Sequence, residues 1–209
     1  MRVRKLLWIA LLSIAVPGIM PASIMTFTPS PADLGDLEHD TVWTWRIDNL
    51  NLGGHAIQSA TLTIAGIYNY QNEPNRLFIH LLDTAASAGT AHRSDPSNSI
   101  SDYFLNPSRS FAPAYGSSNI LLTSQSFPGG EANKIDSTYI FTAQQLAILQ
   151  SFIANNGNFA LGFDPDCHYY NSGVSLQITT VDNPEPGTYL LVGICLLAGI
   201  PVIRRFSRN

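Results

Sequence analysis

The chain has 209 residues, 45% of them apolar and 12% charged, with a net charge of −4 at neutral pH. Setting aside an apolar segment at each end leaves about 160 residues, the size of one domain with a substantial core. In that body five basic residues stand against fourteen acidic ones, a balance that argues against nucleic acid or anionic lipid as a partner and is compatible with calcium, neutral sugars or solubility alone.

At the N-terminus Arg2, Arg4 and Lys5 precede an apolar stretch from Leu6 to Val16 and a small-residue region near Ala22 and Ser23. This is the pattern of a secretory signal peptide over residues 1–22, cleaved around Ala22. Residues 23–40, rich in Pro and Asp, read as an irregular opening segment. From Thr41 the chain alternates: Trp43, Trp45 and Ile47 fall on one face and Thr44 and Arg46 on the other, as in a strand with one buried side. Ala60 to Ile67 repeats the device. Leu77 to Leu82 is apolar on both faces apart from His80, which suits a central strand and makes His80 a core or sheet-face histidine. Asn51 to Gly54 and Gln71 to Asn75 carry turn chemistry.

From Asp83 to Ser118 the composition shifts to Ala, Ser, Pro, Asn and Gly with isolated aromatics. Such a length marks a functional or mobile connection unless it contains short strands. Ile120 to Thr123 and Ile135 to Phe141 are strand-like again. Thr142 then opens the one convincing helix, with Gln145 completing a capping box and Leu146, Leu149, Phe152 and Ile153 at helical spacing. Asn155 to Gly157 ends it. Phe159 to Phe163 and Val174 to Thr179 form a hairpin-like last pair, joined by a polar loop over residues 164–173. The whole predicts a mainly β fold over residues 23–183, a single antiparallel β-sandwich, jelly-roll-like, with one crossover helix.

The polar loop holds the densest group of functional side chains. Asp164, Asp166 and Asn171 offer hard oxygen ligands for Ca²⁺, with Asp36, Glu38 or Asp40 completing the shell where the chain ends meet. The competing reading is a turn in which the Asp side chains bond their own backbone. Cys167 and His168 are adjacent, so they point apart in extended chain, and no second Cys or His follows at finger-like spacing, which argues against zinc. His39, His55 and His92 lie in polar, solvated contexts. Cys195 belongs to the C-terminal apolar run, so Cys167 has no disulfide partner in the body and reads as a small hydrophobe. Trp43, Trp45, Tyr68 and Tyr70 suit a core or, where exposed, stacking on sugar rings. Gly-x-Ser-x-Gly, His-Glu-x-x-His and phosphate-cradling glycine loops are absent from the sequence.

The C-terminus speaks most clearly. Pro184, Glu185 and Pro186 precede an apolar run over residues 187–203, followed by Arg204, Arg205 and Arg208. The run measures roughly 25 Å as a helix, the short end of what spans a hydrocarbon core of roughly 30 Å. The arginines keep its far end cytoplasmic and leave the body outside. The two prolines hold Glu185 in an extended strip beside the bilayer.

This tail, residues 184–209, resembles the PEP-CTERM sorting signal of Gram-negative bacteria that make exopolysaccharide. The resemblance implies recognition of Pro184, Glu185 and Pro186 by the membrane-embedded transpeptidase exosortase, which removes the helix and the arginines. It implies a passage through the inner membrane to the cell envelope or extracellular matrix. The expected function is that of a non-enzymatic surface protein associated with exopolysaccharide. A calcium-dependent carbohydrate-binding module is the alternative, followed by a secreted polysaccharide hydrolase with two carboxylates facing across a cleft roughly 5 to 10 Å wide.

Overall fold

Two antiparallel sheets face each other in the computed structural model, which describes residues 23–95, 102–105 and 118–181. The expected signal peptide, the Pro184–Pro186 strip, the apolar run and Arg204, Arg205 and Arg208 lie outside the described residues. Among those described, no helix is long and apolar enough to cross a membrane.

The first sheet is built from β1 (Ser23–Phe27), β3 (Ala56–Asn69), β7 (Ile135–Ile140) and β10 (Gly173–Val181) in the order β1-β10-β3-β7, and β9 (Tyr169–Tyr170) pairs the far end of β3. The second is built from β2 (Thr41–Ile47), β4 (Leu77–Leu82), β5 (Gly89–Ser94), β6 (Asn119–Gln125) and β8 (Phe159–Pro165) in the order β5-β2-β8-β4-β6. The inward residues of both sheets form one core. Trp43, Trp45 and Ile47 of β2 meet Leu62 and Ile64 of β3, Phe163 of β8 and Leu176 of β10 there. Burial of each such side chain contributes about 1.5–3 kcal/mol.

The single α-helix, α1 (Ala143–Asn156), starts as its sequence dictates. The Thr142 side chain accepts the Gln145 N–H, and the Gln145 side chain accepts the Thr142 N–H. Leu149, Phe152 and Ile153 turn into the core, and Gly157 closes the helix with a left-handed φ of 66°.

Two expectations need correction, and one left open is resolved. Residues 23–27 are not irregular: Ser23–Phe27 pairs along β10, from Ser23 opposite Thr180 to Phe27 opposite Leu176. The connection after Asp83 contains a strand, β5, paired with β2 from Thr41 opposite Ser94 to Arg46 opposite Gly89. Both are edge strands, mostly exposed, so their backbone hydrogen bonds hold them without the apolar alternation that reveals a half-buried strand. The last two strands are not a hairpin either. β8 pairs β2 and β4 in one sheet, β10 pairs β1 and β3 in the other, and the loop between them crosses the sandwich.

The second sheet is buried on its outer face as well. Val42, Leu82, Ala85, Tyr103, Phe104 and Ala160 form a separate apolar cluster there. A short 3-10 turn at Tyr103–Leu105 lies over it, and Gly162 makes the contact possible, because a Cβ at that position would strike the Phe104 ring. This cover explains why all of Phe159–Pro165 is buried, and why β4 carries apolar residues on both faces. His80 sits fully buried under it, its Nε2 2.8 Å from Asp102 Oδ2 and its Nδ1 3.1 Å from Asn119 Oδ1.

Candidate functional site

A glycine positions the site. β3 runs beside β7 until its register shifts between Ile64 and Ile67. Gly66 sits in that shift with φ 57°, donates its N–H to Asp136 Oδ1 at 2.8 Å, and comes so near Ser172 that a Cβ would lie 2.6 Å from its hydroxyl. A bulge of this kind bends a strand and re-aims the side chains beyond it. Past the bulge β3 pairs with β9, with Tyr68 opposite Tyr170 and Asn69 opposite Tyr169. The Tyr70 N–H donates to the His168 carbonyl at 2.9 Å and extends that pairing by one step.

Strand alternation then sorts the side chains. Asn69 and Tyr169 turn inward and are fully buried, Tyr169 edge-on to Phe127. Tyr68 and Tyr70 share the outer side of one strand, and His168 and Tyr170 that of the other. The four rings make a ladder: Tyr68 and Tyr170 stack with centroids 5.1 Å apart, His168 and Tyr170 lie 4.2 Å apart, and Tyr70 and His168 lie 6.1 Å apart. Tyr70, 61% exposed, forms the outer rim. Tyr70, Asp166, Cys167, His168 and Tyr170 line an open cleft of about 500 Å³, and His39, Glu73 and Asn75 stand on its edge.

His39 comes to the cleft from the segment over residues 31–40, which the crossing loop pins down. The Asn171 amide donates to the Asp33 carbonyl at 2.8 Å while its Oδ1 accepts the Gly173 N–H at 3.0 Å, and the Val174 N–H donates to the Ala32 carbonyl at 2.7 Å. Left-handed φ angles at Leu34, Asp36, Leu37 and Asp40 fold this segment back on itself. Such angles cost roughly 1–2 kcal/mol each for a residue with a Cβ, and the complete burial of Leu34 and Leu37 offsets them. The result places the Glu38 carboxylate between two imidazoles. Its Oε1 lies 2.5 Å from His39 Nδ1 and its Oε2 lies 2.7 Å from His168 Nδ1. Asp40 Oδ2 lies 3.5 Å from His39 Nε2.

Of the three residues expected to bind calcium, Asp164 and Asn171 are engaged elsewhere. Asp164 is 4% exposed, beneath the Tyr103–Leu105 turn, and its Oδ2 accepts the Tyr103 N–H at 2.7 Å. Burial pushes its carboxyl up to about 7, with the charges of Asp95, Asp102 and Asp166 adding to the rise and the Tyr103 amide opposing it. Asn171 is the loop clamp described above. Asp166 alone reaches the cleft; burial pushes its carboxyl up to about 6 against the pull of the Arg76 backbone bond and guanidinium. Among the described residues, three His, Cys, Asp or Glu ligand atoms gather within 4.8 Å of one another at Glu38, His39 and His168, and not at Asp164 and Asp166. Of the acids expected to complete the shell, Glu38 does reach this loop.

Cys167 is partly buried against the core, and burial pushes its thiol up, which disfavours the thiolate that nucleophilic or metal chemistry needs. Trp43 and Trp45 are core residues. His92 is exposed and lies against the Trp43 ring at 4.7 Å. His39 carried no local signal in the sequence, because its partner His168 lies at the other end of the domain. No protein-family model, curated protein or solved structure matches the chain.

Proposed function

We propose that the chain is an exported, non-enzymatic surface or extracellular-matrix protein, sorted by exosortase through Pro184, Glu185 and Pro186, and that it associates with exopolysaccharide through the ladder of Tyr68, Tyr70, His168 and Tyr170. The observation that carries the binding half is the cleft itself. The exposed Tyr70 ring and the half-buried rings of His168 and Tyr170, with Asp166, Glu73 and Asn75 lining the same cleft, match what a sugar presents, C–H faces to stack on and hydroxyls to hydrogen-bond. The strand orders β1-β10-β3-β7 and β5-β2-β8-β4-β6 support a jelly-roll reading, since successive strands from β1 to β4 alternate between the two sheets and β8 and β10 insert beside them. Jelly rolls include lectin domains. The acidic body suits a neutral glycan better than an anionic one.

Affinity electrophoresis through gels containing host exopolysaccharide tests the binding half: the wild-type chain is retarded, and Tyr70→Ala and Tyr170→Ala migrate freely. Equal mobility with and without polysaccharide overturns it. Mass spectrometry of the mature protein from a host with an active exosortase tests the sorting half, which fails if the peptide after Pro186 is still attached.

A further inference from the structure

We infer that Glu38, His39 and His168 form a binding site for one divalent transition-metal ion of the zinc class, on the wall of the cleft. Two imidazole nitrogens and a carboxylate oxygen are the donor set of zinc and its neighbours, whereas calcium takes oxygen donors alone. The three ligand atoms already lie within 4.8 Å of one another. Around a tetrahedral ion with bonds of about 2.0–2.1 Å, neighbouring ligand atoms stand roughly 3.3 Å apart. The two imidazoles lie against different oxygens of the carboxylate, at 2.5 and 2.7 Å, and the longest separation among the three ligand atoms, at most 4.8 Å, closes by no more than about 1.5 Å on ion entry. Little packing resists that adjustment, for the Glu38 and His39 side chains are 43% and 47% exposed.

Two further features favour an ion over a mere hydrogen-bonded cluster. When Nδ1 of His39 serves as ligand, its Nε2 carries the proton and lies 3.5 Å from Asp40 Oδ2, a carboxylate in the place where one commonly stands behind a ligating imidazole. The chain also sustains left-handed φ angles at four non-glycine residues from Leu34 to Asp40 to bring Glu38 and His39 to His168, and local strain of this sort gathers at functional sites. Three protein ligands leave a fourth position for water or a hydroxyl from the cleft. The site does not depend on glycan binding by the ring ladder, since the ion is held by the protein alone.

Isothermal titration of the full chain in detergent, stripped with EDTA and then given zinc chloride, tests the inference. We expect one equivalent bound with a dissociation constant in the range of about 10 μM or tighter, and no competition from calcium at about 1 mM. His39→Ala, His168→Ala and Glu38→Gln each weaken binding by about tenfold or more, while Cys167→Ser and His55→Ala keep the wild-type affinity. Melting temperatures in EDTA verify that the exposed-site variants His39→Ala and Glu38→Gln fold as the wild type does, and zinc raises the wild-type melting temperature but not theirs. A wild-type chain that takes up no zinc at about 100 μM, or a His39→Ala chain that binds it unchanged, overturns the inference.

Discussion

Two histidine–carboxylate assemblies of similar dimensions occupy opposite situations in this molecule. His80 and Asp102 stand 2.8 Å apart beneath the cover of the second sheet, with side chains 0% and 8% exposed. His168, on the open cleft, and Glu38 stand 2.7 Å apart, with side chains 20% and 43% exposed. In the first, both ring nitrogens already face oxygen atoms of the protein, Asp102 on one side and Asn119 on the other. In the second, His168 Nε2 is buried with no hydrogen-bond partner among the described residues, and the carboxylate serves two rings at once. The same residue types thus tie down a covering turn in one place and offer ligands in the other. Access and unspent bonding capacity separate the roles.

The contrast is sharpest in stability. His80→Ala leaves Asp102 buried without its ring partner and is expected to cost about 3–5 kcal/mol in urea melts, whereas a loss under about 1 kcal/mol would make the buried assembly as dispensable as a surface pair. Asp164, on the same covered face, should give the next largest effect. Its folded carboxyl keeps a proton up to about pH 7, while the unfolded chain releases it near 3.8. Stability therefore falls as pH rises through that interval, by up to about 4 kcal/mol, and is level above it. Asp164→Asn keeps an acceptor for the Tyr103 N–H and should flatten that slope, as chemical denaturation at a series of pH values would reveal.

Gly162→Ala drives a methyl group into Phe104 and is expected to lower stability by about 1–3 kcal/mol, measured by the same melts. The smallest effects belong to the cleft. Glu38→Gln and Tyr70→Ala should each change stability by less than about 1 kcal/mol, while the first loses zinc and the second loses retention by polysaccharide. If either destabilises the fold as strongly as His80→Ala, the cleft is architecture and the comparison collapses.

Legibility followed burial and chain distance. The Trp43, Trp45 and Ile47 face, the central strand at Leu77 to Leu82 and the Thr142–Gln145 capping box could all be read locally, because each depends on spacing within a few residues. The edge strands Ser23–Phe27 and Gly89–Ser94 could not. Their side chains are largely solvated, so their composition carries no pattern, and only the neighbouring backbone makes them strands. Of the candidate site, the loop at residues 164–173 was visible as a concentration of polar groups, and Tyr68 and Tyr70 as candidate stacking residues. The pairing of His168 with Glu38 and His39 was not, since no spacing rule links the two ends of a domain.

Read along the chain alone, the residues specify the alternation that makes two sheets with apolar inner faces, the one helix with its start and stop, and an apolar C-terminal run bounded by Pro184–Pro186 and by arginines. These arise from periods of 2 and 3.6 residues and from unbroken apolar length, which are properties of neighbours along the chain. The meeting of distant segments settles that the loop after Pro165 crosses between sheets, that β3 beyond the Gly66 bulge pairs with β9 and brings four rings together, and that Asp164 is covered while Glu38 is open. Those outcomes depend on which distant segments meet and on what each contact leaves exposed to water.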